Sequence, residues 1–133
     1  MSKVPSDLKF TKNHEWVKLL DNKTVRVGLT EFAGESLGKI VFVELPREGT
    51  PLTAEARLGS LESVKSVTDI QSPVTGKVIA VNREAEDEPG LLNSDPYGKG
   101  WLVEIELDGH PDDALASLMQ PAEYEQYTSG SGE

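Results

Sequence analysis

The sequence predicts a mainly β fold, a small sandwich or barrel with short helices at its periphery. Apolar and polar residues alternate with period two in several short segments, and turn-forming residues recur between those segments. A length of 133 residues suits one domain with a modest core. Val25, Val27 and Leu29 share one face of the first clear strand. Val41, Val43 and Leu45 do the same in the run from Ile40 to Leu45, which Pro46 ends because it has no N–H to give a ladder. Val78 to Val81 is a third strand. Trp101 to Leu107 is a fourth, with Trp101, Val103, Ile105 and Leu107 inward and Glu104 and Glu106 toward water. Asp21-Asn22, Arg47-Glu48-Gly49, Thr75-Gly76 and Asp108-Gly109 supply the turns. Short strands broken so often favour a sandwich or barrel over a parallel sheet.

Helices are secondary. Thr30 can cap a helix from Glu31 to Leu37, with Gly38 past its end. Pro111-Asp112-Asp113 opens another that runs through Met119, and Pro121 starts a short last one ending at Tyr127. Residues 1–127 form the single expected domain. Residues 128–133, Thr-Ser-Gly-Ser-Gly-Glu, are expected to be a disordered tail.

Composition removes whole classes of chemistry. With no cysteine there is no disulfide, thiolate metal site or thiol nucleophile. Two histidines cannot build a three-histidine zinc centre, and no His-Glu-x-x-His pattern is present, so no metal site is expected. The 23 acids against 13 bases give a net charge of −10, wrong for gripping a nucleic-acid backbone. No apolar run approaches the ~20 residues that cross a bilayer, and Met1 to Asp7 has no signal core. A cytoplasmic protein is expected, or a mitochondrial-matrix one if the chain is a processed eukaryotic product. A non-catalytic carrier or adaptor is the better prior.

One segment carries chemistry. In Leu58 to Pro73, two arms rich in small residues flank Val64-Lys65, with Glu62 three residues before the lysine and Asp69 four after it. Ser63 and Ser66 would leave a lysine at a hairpin tip open to a modifying enzyme. Taken alone, such a lysine is an ordinary solvated one.

Glu62-Ser63-Val64-Lys65-Ser66-Val67-Thr68-Asp69-Ile70, followed by Pro73-Val74-Thr75-Gly76, closely resembles the lipoylation segment of the glycine cleavage system H protein family. His14-Glu15-Trp16-Val17 resembles that family's N-terminal signature. Val27 to Thr30, Leu37-Gly38 and Val41 to Pro46 resemble its second block. Pro89 to Asn93, Asp95-Pro96-Tyr97 and Gly100-Trp101-Leu102 resemble its third. The resemblance implies a barrel-sandwich hybrid of lipoyl-carrier type, a monomer, with lipoic acid in amide linkage on Lys65. It implies that the arm accepts the aminomethyl group of glycine from the decarboxylase (P-protein) and yields it to the aminomethyltransferase (T-protein). Dihydrolipoamide dehydrogenase (L-protein) then reoxidises the arm. Lipoyl-attaching enzymes are the further partners, and Glu62 is a candidate for their recognition. Glu15 and Asp69 match positions lining the cleft that shelters the loaded arm, where a carboxylate can hydrogen-bond an amine cation. His14 reads as a packed, hydrogen-bonded histidine, and Trp16 and Trp101 as core anchors.

The chain departs from the family's usual residues at Asn13, Glu31, Gly34 and Lys39. Glu31, Gly34 and Lys39, around one helix and its exit, bear on partner choice, and the departures keep open an H-like lipoyl carrier serving another pathway, as a lipoyl relay or store or in sulfur oxidation. A biotin carrier fits less well, because Val64 and Ser66 stand where methionines would flank the lysine. A carboxylate-pair hydrolase lacks any acid set beside a nucleophile or metal partner.

Overall fold

The computed structural model describes residues 7–131, with side chains as far as Thr128. The first half of the chain runs β1 (Lys9–Phe10), β2 (Glu15–Leu19), β3 (Thr24–Leu29), α1 (Glu31–Leu37), β4 (Ile40–Glu44), β5 (Pro51–Leu52) and β6 (Arg57–Ser63). The second half runs β7 (Val67–Gln71), β8 (Gly76–Val81), α2 (Arg83–Asp87), α3 (Leu91–Ser94), β9 (Val103–Leu107), α4 (Pro111–Leu115) and α5 (Pro121–Ser131). The strands form two antiparallel sheets, one of six in the order β1-β2-β3-β9-β8-β5 and one of three in the order β4-β6-β7. The fold is mainly β, a sandwich-type arrangement of the expected class.

β-branched side chains from adjacent strands make the larger sheet's inner face. Val25 and Val78 both pair with Ile105, and Val27 pairs with Val103. Ile40, Val43, Leu61 and Ile70 of the smaller sheet pack in the same core. A second apolar cluster, Leu8, Phe10, Trp16 and Tyr124, lies apart from it. β2 is therefore buried by both clusters, Trp16 in one and Val17 in the other. That is why Glu15-Trp16-Val17 shows no alternation and is not legible as a strand. Gly28 pairs with Trp16 across the ladder, and a Cβ there would overlap the indole.

Local differences from the expectation have local causes. A register shift between Ile40 and Phe42 turns both Val41 and Phe42 to solvent, so Val41 does not share a face with Val43 and Leu45. β9 begins at Val103. Leu102 is the fully buried residue before it, while Trp101 is only half-buried, with the Arg26 guanidinium 4.9 Å above its ring. Glu104 is not simply solvated, since it accepts two hydrogen bonds from Arg26, at 2.7 and 2.9 Å. α4 stops at Leu115 because Met119 exchanges backbone hydrogen bonds with Phe10, at 2.7 and 2.9 Å. α5 continues past Tyr127 through Thr128 to Ser131, and Thr128 Oγ1 donates back to the Tyr124 and Glu125 carbonyls. Met1 to Ser6, and Gly132 and Glu133 of the expected tail, lie outside the described residues.

Candidate functional site

β6 and β7 form a hairpin with Leu61 opposite Thr68 and Glu62 opposite Val67. Ser63 N donates to Ser66 O at 2.8 Å, closing a turn that holds Val64 and Lys65 at its tip. Ser63 is buried, and its hydroxyl oxygen accepts from the N–H groups of both Lys65 and Ser66 at 3.2 Å. A serine expected only to leave room is instead the brace of the turn. A second brace comes from the exit of α1, where Lys39 O accepts from Val64 N at 3.0 Å. Gly38 reaches that corner with φ of 80°, a left-handed conformation suited to glycine. Lys65 itself is exposed and makes no ion pair among the described residues. Val41, Phe42, Val64 and Val67 stand exposed around it.

Beside the hairpin lies a cavity of about 170 Å³. Leu61, Thr68, Asp69 and Ile70 of the hairpin form one wall, and Ala33, Ser36 and Leu37 of α1 form another. The β1–β2 turn supplies Asn13 and His14, and the first residue of β2 supplies Glu15. The cavity is thus mostly apolar along its sides, with one acidic residue in each of two walls.

Glu15 is only 2% exposed. Gln71 N donates to Oε2 at 3.1 Å and the Thr11 hydroxyl to Oε1 at 3.3 Å. Neither is a cation, so burial dominates and pushes the carboxyl up to about 8 despite these two hydrogen bonds. At neutral pH the group is mainly the uncharged acid. Asp69 has the opposite setting. It is exposed, sits on the outer face of an edge strand, and pairs with Arg57 at 3.3 Å. Both residues line the same cavity, so the fold brings together two groups that lie 54 positions apart in the chain. Glu62 lies outside it, exposed in a row with Phe42 and Val67 across the three-stranded sheet.

His14 also lines the cavity, in a left-handed conformation with φ of 66°. Its Nδ1 is 2.8 Å from the Tyr124 hydroxyl, which is 2.7 Å from Thr30 Oγ1. Burial lowers the His14 pKa and raises that of Tyr124, so both are neutral at pH 7. The packed reading of His14 holds, and its partner is one the sequence offered no signal for, 110 residues away. Among the described residues no cluster of acids and histidines could hold a metal, and no helix is long and apolar enough to cross a membrane.

A small β-sandwich that presents an exposed lysine on a braced hairpin beside a cavity has the form of a carrier domain for a covalently attached group. The model of the Glycine cleavage H-protein family matches residues 8–131, and the chain belongs to that family. A glycine cleavage system H protein of Mycolicibacterium vanbaalenii is 48% identical over 130 residues, covering 97% of this chain and 99% of that protein. One from Carboxydothermus hydrogenoformans is 44% identical over the whole of both chains. The crystal structure of a glycine cleavage system H protein from Mycobacterium marinum superposes with a TM-score of 0.83 at 33% identity, covering 98% of this chain and all of that one.

Proposed function

We propose that this chain is the lipoyl carrier of a glycine cleavage system, with lipoate attached to Lys65 and no catalytic step of its own. The observation that carries the reading is the pairing of an exposed, doubly braced lysine with a cavity whose wall is the lysine's own hairpin. Thr68 lies three positions along from Lys65, roughly 10 Å at the rise of a strand, within reach of a lysine bearing a lipoyl chain. Leu29, Ala33, Leu37, Leu61 and Ile70 offer such a chain apolar contact, and Glu15 offers its far end a polar group. The residues present therefore fit the group. Once attached, it supplies a thiol pair that carries the aminomethyl unit of glycine between the P-protein and the T-protein and is reoxidised by the L-protein.

This chain's own contributions are presentation, shelter and charge. Ser63 and Lys39 hold the attachment point still, so that the arm swings from a fixed origin. The cavity withdraws a hydrolysable cargo from water. Glu15 waits as the uncharged acid, and an incoming neutral amine would take its proton, leaving an ammonium–carboxylate pair in a dry site. Glu62, exposed beside the lysine, is the acid we assign to recognition by the lipoyl-attaching enzyme.

Intact mass after incubation with a lipoyl-attaching enzyme and a lipoyl donor tests the attachment. One lipoyl group is expected, and fragmentation should place it on Lys65. A chain that stays unmodified, or one modified elsewhere, overturns the reading. Loading of the modified protein with glycine and a P-protein then separates a glycine cleavage carrier from a lipoyl carrier of another pathway.

A further inference from the structure

Two walls of the cavity meet at one buried point. The β1–β2 turn and α1 are joined there by the backbone, Thr30 N donating to His14 O at 3.0 Å. Over that junction lies the Tyr124 hydroxyl, brought in by α5 and bonded to both His14 Nδ1 and Thr30 Oγ1. Tyr124 is wholly buried and its ring stacks on Phe10, with centroids 4.6 Å apart. Thr30 is also the N-cap of α1, where its side chain already accepts from Ala33 N.

The direction of this hydrogen-bond chain follows from counting protons. If Thr30 O–H donates to Tyr124 Oη and Tyr124 O–H donates to His14 Nδ1, every hydroxyl proton has an acceptor. Reversing the chain gives Thr30 Oγ1 a second donor and leaves its own proton with none. The favoured direction holds His14 as the neutral tautomer with its proton on Nε2.

We infer that Tyr124 is a positioning residue for the arm cavity, its hydroxyl locking the His14 wall to the α1 wall and fixing the His14 tautomer. The α5 helix thereby belongs to the site without lining it. The part of this inference that concerns the arm rests on the proposed lipoyl function. The clamp itself does not.

Tyr124→Phe keeps the stacked ring and removes only the hydroxyl, with Tyr127→Phe on the same helix as its control. In wild-type protein without lipoate, nitrogen NMR of the imidazole should show the Nε2–H tautomer with Nδ1 hydrogen-bonded. In Tyr124→Phe the Nδ1 signal should move, while Tyr127→Phe should leave it in place. After lipoylation and loading, Tyr124→Phe should release its amine roughly five- to tenfold faster than wild type, the equivalent of one net hydrogen bond. Its rate of lipoyl attachment should be unchanged. An Nδ1–H tautomer in the wild type overturns the inference, and that measurement does not depend on whether the variant folds. Unchanged His14 nitrogens together with unchanged amine release in Tyr124→Phe also overturn it. A wild-type protein that releases amine as fast as loaded lipoamide free in solution overturns the sheltering function and the arm half of this inference, leaving the nitrogen signals to judge the clamp.

Discussion

At the tip of the β6–β7 hairpin, Val64 and Lys65 stand in solvent, held because their backbone N–H groups donate to the Lys39 carbonyl and the Ser63 hydroxyl oxygen. A few residues down the same hairpin, the N–H of Gln71 meets a carboxyl group that is 2% exposed and titrates at about 8. The tip is fixed in position while its side chain remains free. The cavity fixes side chains and stores a proton. The difference teaches that the proposed attachment and shelter need opposite environments, which one hairpin supplies by running from water into the sandwich. An attaching enzyme needs a lysine it can reach. A labile cargo needs a place that water cannot.

The largest effect should come from the tip. Lys65→Arg keeps the charge but removes the primary amine, so no lipoyl group should attach, as read by intact mass. The melting temperature should stay within about 2 °C, because an exposed side chain without a partner contributes little. Attachment to the arginine variant would sink the distinction between tip and cavity.

Glu15→Gln tests the cavity. Between pH about 4.5 and about 8 the unfolded chain ionises Glu15 while the folded chain keeps its proton. The folded state then binds more protons, so this group's contribution is fully present below that window and is lost as pH rises through it, by ~1.4 kcal/mol per pH unit. Denaturant unfolding should therefore find the variant close to wild type at pH 4.5 and more stable by a few kcal/mol, to order of magnitude, at pH 8.5. A stability difference that does not vary with pH would mean that Glu15 is ionised in the folded protein.

Ser63→Ala asks how much of the tip is brace. Two N–H groups lose their acceptor but can turn to water, so a loss of about 1 kcal/mol is expected, with attachment several-fold slower at low protein concentration. Unaltered attachment kinetics would reduce Ser63 to a space-filler. The smallest effect is expected of Lys39→Glu. The hairpin uses the Lys39 carbonyl and the side chain is exposed, so stability should change by less than about 0.5 kcal/mol. A larger change would show that the side chain, too, braces the tip.

Much of the fold was legible where a strand has one wet face. Val25, Val27 and Leu29 are all buried as their alternation requires, and Thr30 caps α1 as its position suggests. Legibility fails where burial is two-sided or the register shifts. β2 lies between two clusters and shows no alternation, and the shift in β4 breaks the rule at Val41. The short helices α2 and α3 escape because four or five residues are too few for a helical period. In the site, Lys65 and its acids were visible through motif resemblance. The brace at Ser63 and the Tyr124 hydroxyl were not, since a serine or a tyrosine looks the same whether its hydroxyl faces water or a buried partner.

By itself the sequence determined what this protein can be made from. The absence of cysteine, the alternating strands, the lysine between small residues and the excess of acid are properties of composition and near-neighbour order, and they survive without knowledge of the fold. Only the tertiary structure decided what Glu15, His14 and Tyr124 do. Their protonation and orientation depend on burial and on partners 56 to 110 positions away. Desolvation and long-range hydrogen bonding arise only when the chain has closed on itself, and no local pattern encodes them.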